Sequence, residues 1–135
     1  MPVTLTHDPV FAQNGRSVGA VATAAKTTYN DVANAVLLCQ GGSNGSIFKG
    51  LSAVPLNTVT ASKIMLFWSP DNGTTMYLVD SALMAAYTMA ATTATPVTTF
   101  TGFSEIRLSP SDKLYVASGV ALAAGIAFTG QIEDL

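Results

Sequence analysis

The stretch from Lys63 to Ser81, KIMLFWSPDNGTTMYLVDS, constrains the fold more than any other part of the chain. It consists of two apolar, strand-like runs on either side of a strong turn signal. Pro70 fixes the backbone angle that suits the first turn position, and Gly73 can adopt a positive φ. The stretch therefore predicts a β-hairpin whose turn is centred on residues 70–73.

The register of this hairpin follows if Ser69 and Thr74 close a four-residue loop. Lys63 then lies opposite Asp80, and successive side chains alternate between two faces. One face carries Ile64, Leu66, Trp68, Thr75, Tyr77 and Val79, and the other carries Met65, Phe67, Met76 and Leu78.

Both faces of the hairpin are apolar, whereas a strand pair with one face in water alternates apolar and polar side chains. Either other parts of this chain cover both faces, or a second chain covers one. We assign the face with Trp68 to the core, because it is bulkier and richer in β-branched residues. We assign the face with Met65 to a further layer or a neighbouring subunit, because methionine adapts to irregular surfaces.

The rest of the chain shows about eight short apolar segments separated by turn signals, which is typical of a sandwich. We predict an all-β, single-domain antiparallel β-sandwich, jelly-roll-like, over residues 16–135. Residues 1–15 have two prolines and no sustained period, which predicts an extended N-terminal arm. Arg16–Asp31 is expected to form a strand, and Gly50 predicts a bulge or a sheet crossing in the third strand region.

Charged residues make up only 10% of the 135-residue chain, against about 25% in a typical soluble domain. A monomer so poor in charge has a solubility problem. The composition therefore favours a subunit that hides surface in an assembly over a compact apolar monomer. The six basic residues are scattered and the net charge is −2, so we expect no nucleic-acid partner. The longest lipid-like run, 114–128, is shorter than the roughly 20 residues of a membrane-spanning helix, so we expect no membrane partner.

The chain offers no arrangement of residues that predicts catalysis or metal binding. His7 is its one histidine and Cys39 its one cysteine, and no serine has the context of a nucleophile. Cys39 lies in the apolar run AVLLCQ and is expected to be a small buried side chain. Glu105 and Asp112 occupy ordinary strand and turn positions. We expect no enzyme activity, no cofactor and no metal site.

Three features together resemble small virion structural proteins of tailed bacteriophages, most of all capsid decoration (cement) proteins. They are the hairpin KIMLFWSPDNGTTMYLVDSALMAA, the strand region EIRLSPSDKLYVAS and a final apolar strand near the C-terminus. The resemblance implies a homotrimer on the capsid exterior that binds the major capsid protein across neighbouring capsomers, after assembly in the host cytoplasm. The N-terminal arm could cross to a neighbour by strand addition.

The interface expected from this reasoning combines the arm with the second face of the hairpin. Its residues are Val10, Phe11, Met65, Phe67, Met76 and Leu78. A tail, baseplate or fibre-attachment subunit remains an alternative, because it would bury the same apolar surfaces against another partner. A carbohydrate-binding sandwich is the second alternative, with an aromatic stacking platform that exposed rings would favour and burial of Trp68 would oppose. The candidate rings are Trp68, Tyr77, Tyr87 and Tyr115.

Overall fold

The structure, a computed structural model, describes residues 13–135, so the predictions for Val10 and Phe11 lie outside the described residues. Within 13–135 the chain forms strands and no helix, which confirms the all-β prediction. The strands are β1 (Asn14–Ala22), β2 (Val36–Gln40), β3 (Ser46–Pro55), β4 (Ser62–Ser69), β5 (Tyr77–Met84), β6 (Thr98–Thr99), β7 (Ile106–Leu108), β8 (Lys113–Ser118) and β9 (Ile126–Asp134).

The strands form two antiparallel sheets that pack face to face, which confirms the sandwich. The five-stranded sheet has the order β1-β9-β3-β6, and β7 also pairs with β3. The four-stranded sheet has the order β2-β8-β4-β5. Because β1 begins at Asn14, it includes the last two residues of the range that was predicted as the arm.

The main core lies between the two sheets. Phe48 and Phe128 from the five-stranded sheet and Ile64 and Leu66 from the four-stranded sheet are completely buried there. Trp68 is partly buried and packs against the same cluster. The face of β4 that carries Trp68 therefore lines the core, as the sequence predicts.

A polar cluster fastens one end of the sandwich. The Arg16 guanidinium contacts the Asp134 carboxylate at 2.9 Å and donates a second hydrogen bond to the Gln40 carbonyl oxygen at 2.8 Å. The Ser46 hydroxyl donates to the other Asp134 oxygen at 2.6 Å. Arg16, Asp134 and Ser46 belong to the five-stranded sheet and Gln40 to the four-stranded one, so this cluster ties the two sheets together.

The predicted hairpin forms between β4 and β5, but its predicted register is wrong. Lys63 lies opposite Leu83, and Asp80 lies opposite Leu66. Part of the shift arises within the strands, because the pairing slips between Leu66 and Phe67 and leaves Val79 as an extra residue on β5.

The rest of the shift arises in the connection between β4 and β5, which is longer than four residues. The Ser69 hydroxyl accepts a hydrogen bond from the Gly73 amide at 2.7 Å, and the Asp71 carboxylate accepts one from the Thr75 amide at 2.7 Å. The Gly73 and Thr75 amides therefore have partners within the connection, and the β4–β5 pairing begins with Trp68 opposite Tyr77. Gly73 has a φ of 92°, the left-handed geometry that its position in the turn predicts.

The predicted break in the third strand region is confirmed. The pairing of β3 with β9 shifts between Phe48 and Gly50, which is a bulge. The strand that was expected to span Arg16–Asp31 stops at Ala22 instead. The rest of that range leaves the five-stranded sheet and crosses to the other side of the molecule.

Candidate interface on the outer face of the four-stranded sheet

The outer face of the four-stranded sheet carries a second apolar cluster, separate from the main core. Its members are Met65, Phe67, Met76, Tyr115 and Ala117. They are between 0% and 7% exposed, so this face is covered although it points away from the other sheet.

The cover comes from the connection between β1 and β2, residues 23–35, here called the cover segment. The Lys26 amide donates to the Ser118 carbonyl oxygen on β8 at 2.8 Å, which anchors one end of the segment. Ala35, at the other end, packs against the apolar cluster. Between these points the Lys26 ammonium nitrogen lies 5.2 Å from the centre of the Phe67 ring.

The Lys26 side chain is completely buried, and its charge is fully solvated by protein groups. Its ammonium group donates to the carbonyl oxygens of Asp31 and Ala33, at 2.8 and 2.7 Å, and to the Asp31 carboxylate at 3.1 Å. An ammonium group has three protons, so each has an acceptor, and the Phe67 ring adds a cation–π contact. All three acceptors belong to the cover segment, so Lys26 holds the segment in a closed loop over the cluster.

The Asp31 carboxyl group is itself held in its ionised form. Its pKa is lowered chiefly by a hydrogen bond from the Thr28 hydroxyl and then by the bond from Lys26. The anionic carboxylate is the form that accepts these bonds, so the charge on Asp31 supports the closed loop of the segment.

The structure therefore answers what touches the second face of the hairpin: a further layer made by the same chain. Met65, Phe67 and Met76 are at most 3% exposed, so these three predicted interface residues are covered within the single subunit. Leu78 differs, because it is 39% exposed at the edge of the covered area.

Large apolar side chains are exposed around the cover segment. On the outer face of the sheet, Leu37 lies opposite Tyr115, Leu78 opposite Phe67 and Leu83 opposite Lys63. The segment adds two more, and the five together are here called the apolar rim. Its residues, 39–69% exposed, are Tyr29, Val32, Leu37, Leu78 and Leu83.

The charged side chain of Lys63 lies within the rim. The Lys63 ammonium nitrogen lies 4.5 Å from the centre of the Tyr29 ring and within 3.3 Å of its hydroxyl oxygen. Sequence reasoning found Leu78 but missed the rest of the rim. Leu37 lies on β2, Leu83 lies on β5, and Tyr29 and Val32 belong to the cover segment, so no local sequence pattern groups them.

The four candidate rings, Trp68, Tyr77, Tyr87 and Tyr115, do not form an open stacking platform. Trp68 stacks against Tyr77 with 5.5 Å between ring centres, and its indole N–H donates to the buried Asp112 carboxylate at 3.1 Å. Tyr115 is buried, and Tyr87 is half-buried with its hydroxyl donating to a backbone oxygen. Of these four rings, Tyr77 alone is classed as exposed.

Cys39 is buried as predicted, and burial raises the pKa of its thiol to about 11, so it is protonated at neutral pH and a poor nucleophile. Residues 13–135 contain no cluster of three or more His, Cys, Asp or Glu side chains suited to a metal ion. The same residues include no helix of the length and hydropathy needed to cross a membrane.

Comparison with protein-family models, curated proteins and solved structures finds no match for this chain.

Proposed function

We propose that this chain is a structural virion protein of a tailed bacteriophage, a decoration protein on the capsid exterior. In this role it forms a homotrimer, assembled in the host cytoplasm, that binds the major capsid protein across neighbouring capsomers and stabilises the shell. It acts without catalysis, cofactor, nucleic acid or membrane. The observation that carries the proposal is the apolar rim on a subunit with very few charges.

The rim supports an assembly role because exposed apolar groups of this size are uncommon on isolated soluble domains when they cluster on one face. Leu83 is 69% exposed and lies on β5, the outermost strand of its sheet. The cluster beneath the rim is buried, so the rim lies on a packed layer of the subunit.

The strand pairing also supports the proposal. β1 pairs with β9, β2 with β8, β3 with both β6 and β7, and β4 with β5. Strands early in the chain thus pair with strands late in the chain in a nested order. With β6 and β7 counted as one interrupted strand, this order supports assigning the sandwich to the jelly-roll type, which recurs in viral capsid proteins and in lectins.

The test compares two single substitutions that each replace an exposed leucine with aspartate. Leu83→Asp changes the apolar rim, and Leu56→Asp changes the connection between β3 and β4, outside the rim. We expect the wild type to sediment as a trimer of the 13.9 kDa chain and to bind undecorated capsids. Leu83→Asp should lose both properties, and Leu56→Asp should keep both.

The same assay separates the alternatives. A wild-type protein that is monomeric both alone and with capsids contradicts the proposal. Binding to purified tails in place of heads would assign the subunit to the tail, baseplate or fibre attachment. A carbohydrate-binding role has less support, because Trp68 is partly buried and one of its faces is taken by Tyr77.

A further inference from the structure

The two sheets end in strands that differ in how well they are protected against pairing with another chain. Natural proteins protect such edges with bulges, very short strands or charged side chains. β2 has a register shift between Leu37 and Cys39, and β5 has the extra residue Val79. β6 and β7, which share one side of β3, are only two and three residues long.

β1 has none of these protections. It pairs with β9 over nine residues, Asn14 to Ala22, without a shift in register, and it contains neither proline nor lysine. Its one charged side chain, Arg16, is already engaged by Asp134 and by the Gln40 carbonyl oxygen. Nothing else in residues 13–135 pairs with β1.

We propose that β1 is a self-association edge, where β1 of one copy pairs with β1 of a second copy. Two identical strands related by a two-fold axis run antiparallel, which is the pairing that this sheet already uses. With the axis at Val18, the middle of the strand, Ser17 of one copy lies opposite Gly19 of the other. Arg16 lies opposite Ala20, so no like charges meet across the contact.

The side chains along β1 also suit the close approach of another backbone. Gly15, Ser17 and Gly19 lie on the outer face and alternate with core-facing residues. No atom lies within 4 Å of the place a Gly15 side chain would occupy, and a Gly19 side chain would meet the Phe128 carbonyl oxygen at 3.4 Å and Thr129 Cγ2 at 4.0 Å. Glycine in a strand interior often marks a place where another backbone comes close. These small residues leave room for the side chains of a second copy when two five-stranded sheets join edge to edge.

The contact should be weak between free subunits. A nine-residue strand offers about 30 Å of edge, which buries less surface than the roughly 1,200 Å² of a stable interface. If the proposed function is correct, subunits held side by side on a shell have a high effective concentration, and a weak contact then becomes significant. The self-association itself does not depend on that function.

The test adds one lysine at matched glycines of the five-stranded sheet in the full-length chain. Gly19→Lys and Gly15→Lys alter β1. Gly50→Lys is the control, because Gly50 lies on the inner strand β3 with no atom within 4 Å of an added side chain. Sedimentation from low micromolar to millimolar concentration, with hydrogen exchange of the β1 amides, reports the contact.

We expect the average mass of the wild type to rise with concentration, from the trimer to larger species joined at β1 edges, and the β1 amides to gain protection in parallel. Both β1 variants should weaken this association at least tenfold, and Gly50→Lys should behave as the wild type. Leu83→Asp should remove the trimer but leave a concentration-dependent monomer–dimer equilibrium, which separates this contact from the apolar rim. A mass that does not rise with concentration overturns the inference, and so does equal weakening by Gly50→Lys. Full protection of the β1 amides at every concentration, at constant mass, would place another part of the same chain on this edge and also overturn it.

Discussion

The outer face of the five-stranded sheet is polar and exposed to water, whereas the apolar outer face of the four-stranded sheet is covered by another part of the chain. On the five-stranded sheet, small polar side chains stand in water and pair with one another, as Ser17 does with Gln131 and Ser52 with Thr129. On the four-stranded sheet, Met65 and Phe67 occupy the equivalent outward positions and require the cover segment. The five-stranded sheet needs only its own side chains on this face, whereas the four-stranded sheet needs a third layer of chain.

The difference explains why a dense group of polar contacts lies within the cover segment. Ordering an irregular segment costs roughly 1–2 kcal/mol per residue in backbone entropy, so the cover segment needs strong anchors. Lys26 supplies them with one buried ammonium group that bonds to three acceptors within the segment. The polar face of the other sheet needs no such anchor, because it orders no extra chain.

The largest effect that would test this comparison is expected from Phe67→Ala. The substitution empties the centre of the covered cluster, where Phe67 is completely buried, and should destabilise the protein by about 3–5 kcal/mol. Ser52→Ala, on the outer face of the other sheet, should change stability by no more than about 0.5 kcal/mol. Urea unfolding of both variants measures the difference. Similar values for the two would mean that the covered face is no more important than the bare one.

A smaller effect is expected from Lys26→Met, which keeps most of the apolar stem but removes the ammonium group. The two backbone oxygens that it served lose their donor, so the loss should be about 1–3 kcal/mol, with faster proteolysis inside residues 23–35. Lys49→Met is the control, because Lys49 is exposed and contacts Glu105 at 3.6 Å. Equal cleavage rates in the two variants would contradict the anchoring role of Lys26.

The smallest expected effect is the loss of folding stability as the pH falls. The pKa of the Asp134 carboxyl is lowered, first by the hydrogen bond from Arg16 and then by that from Ser46, and the pKa of Asp31 is lowered on the cover segment. A carboxyl with a lowered folded-state pKa contributes stability above its unfolded value, near 3.8, and loses it as the pH falls through the folded value. Thermal melts between pH 6 and pH 2, at roughly one-unit steps, should show a weaker acid dependence for Asp134→Asn and Asp31→Asn than for the wild type. An unchanged slope in both would exclude these groups as the source of acid sensitivity.

The hairpin illustrates how much of the fold the sequence could predict. Pro70 and Gly73 mark the turn, and alternation assigns Ile64 and Leu66 to the core, because both signals are local. The register depended on bonds that composition does not specify, those of Ser69 and Asp71 within the connection and the slip that leaves Val79 unmatched. Element type follows from neighbours in sequence, whereas register depends on the hydrogen bonds made in the connection and on the bulge within the strand.

The candidate site was less predictable than the fold. Met65 and Phe67 were expected to contact something outside the core, and they do, but their partner is the segment that was expected to continue β1. A lysine within an Ala- and Thr-rich run carries no signal of burial. Asp31 five residues later, and Asn34 with its φ of 60°, are the local hints that this run turns back on itself. The sequence does not show that the Lys26 ammonium group lies beneath this turn and bonds to Asp31 and Ala33.

The burial of Lys26 gives the chain a built-in chemical reporter. The sequence contains four lysines, and of these Lys26 alone has a completely buried side chain bonded to three acceptors. An amine-selective reagent should therefore label Lys49, Lys63 and Lys113 readily and reach Lys26 only when the cover segment lifts. The labelling rate at that single amine then measures how often the segment opens, in the unaltered protein and on an assembled particle alike.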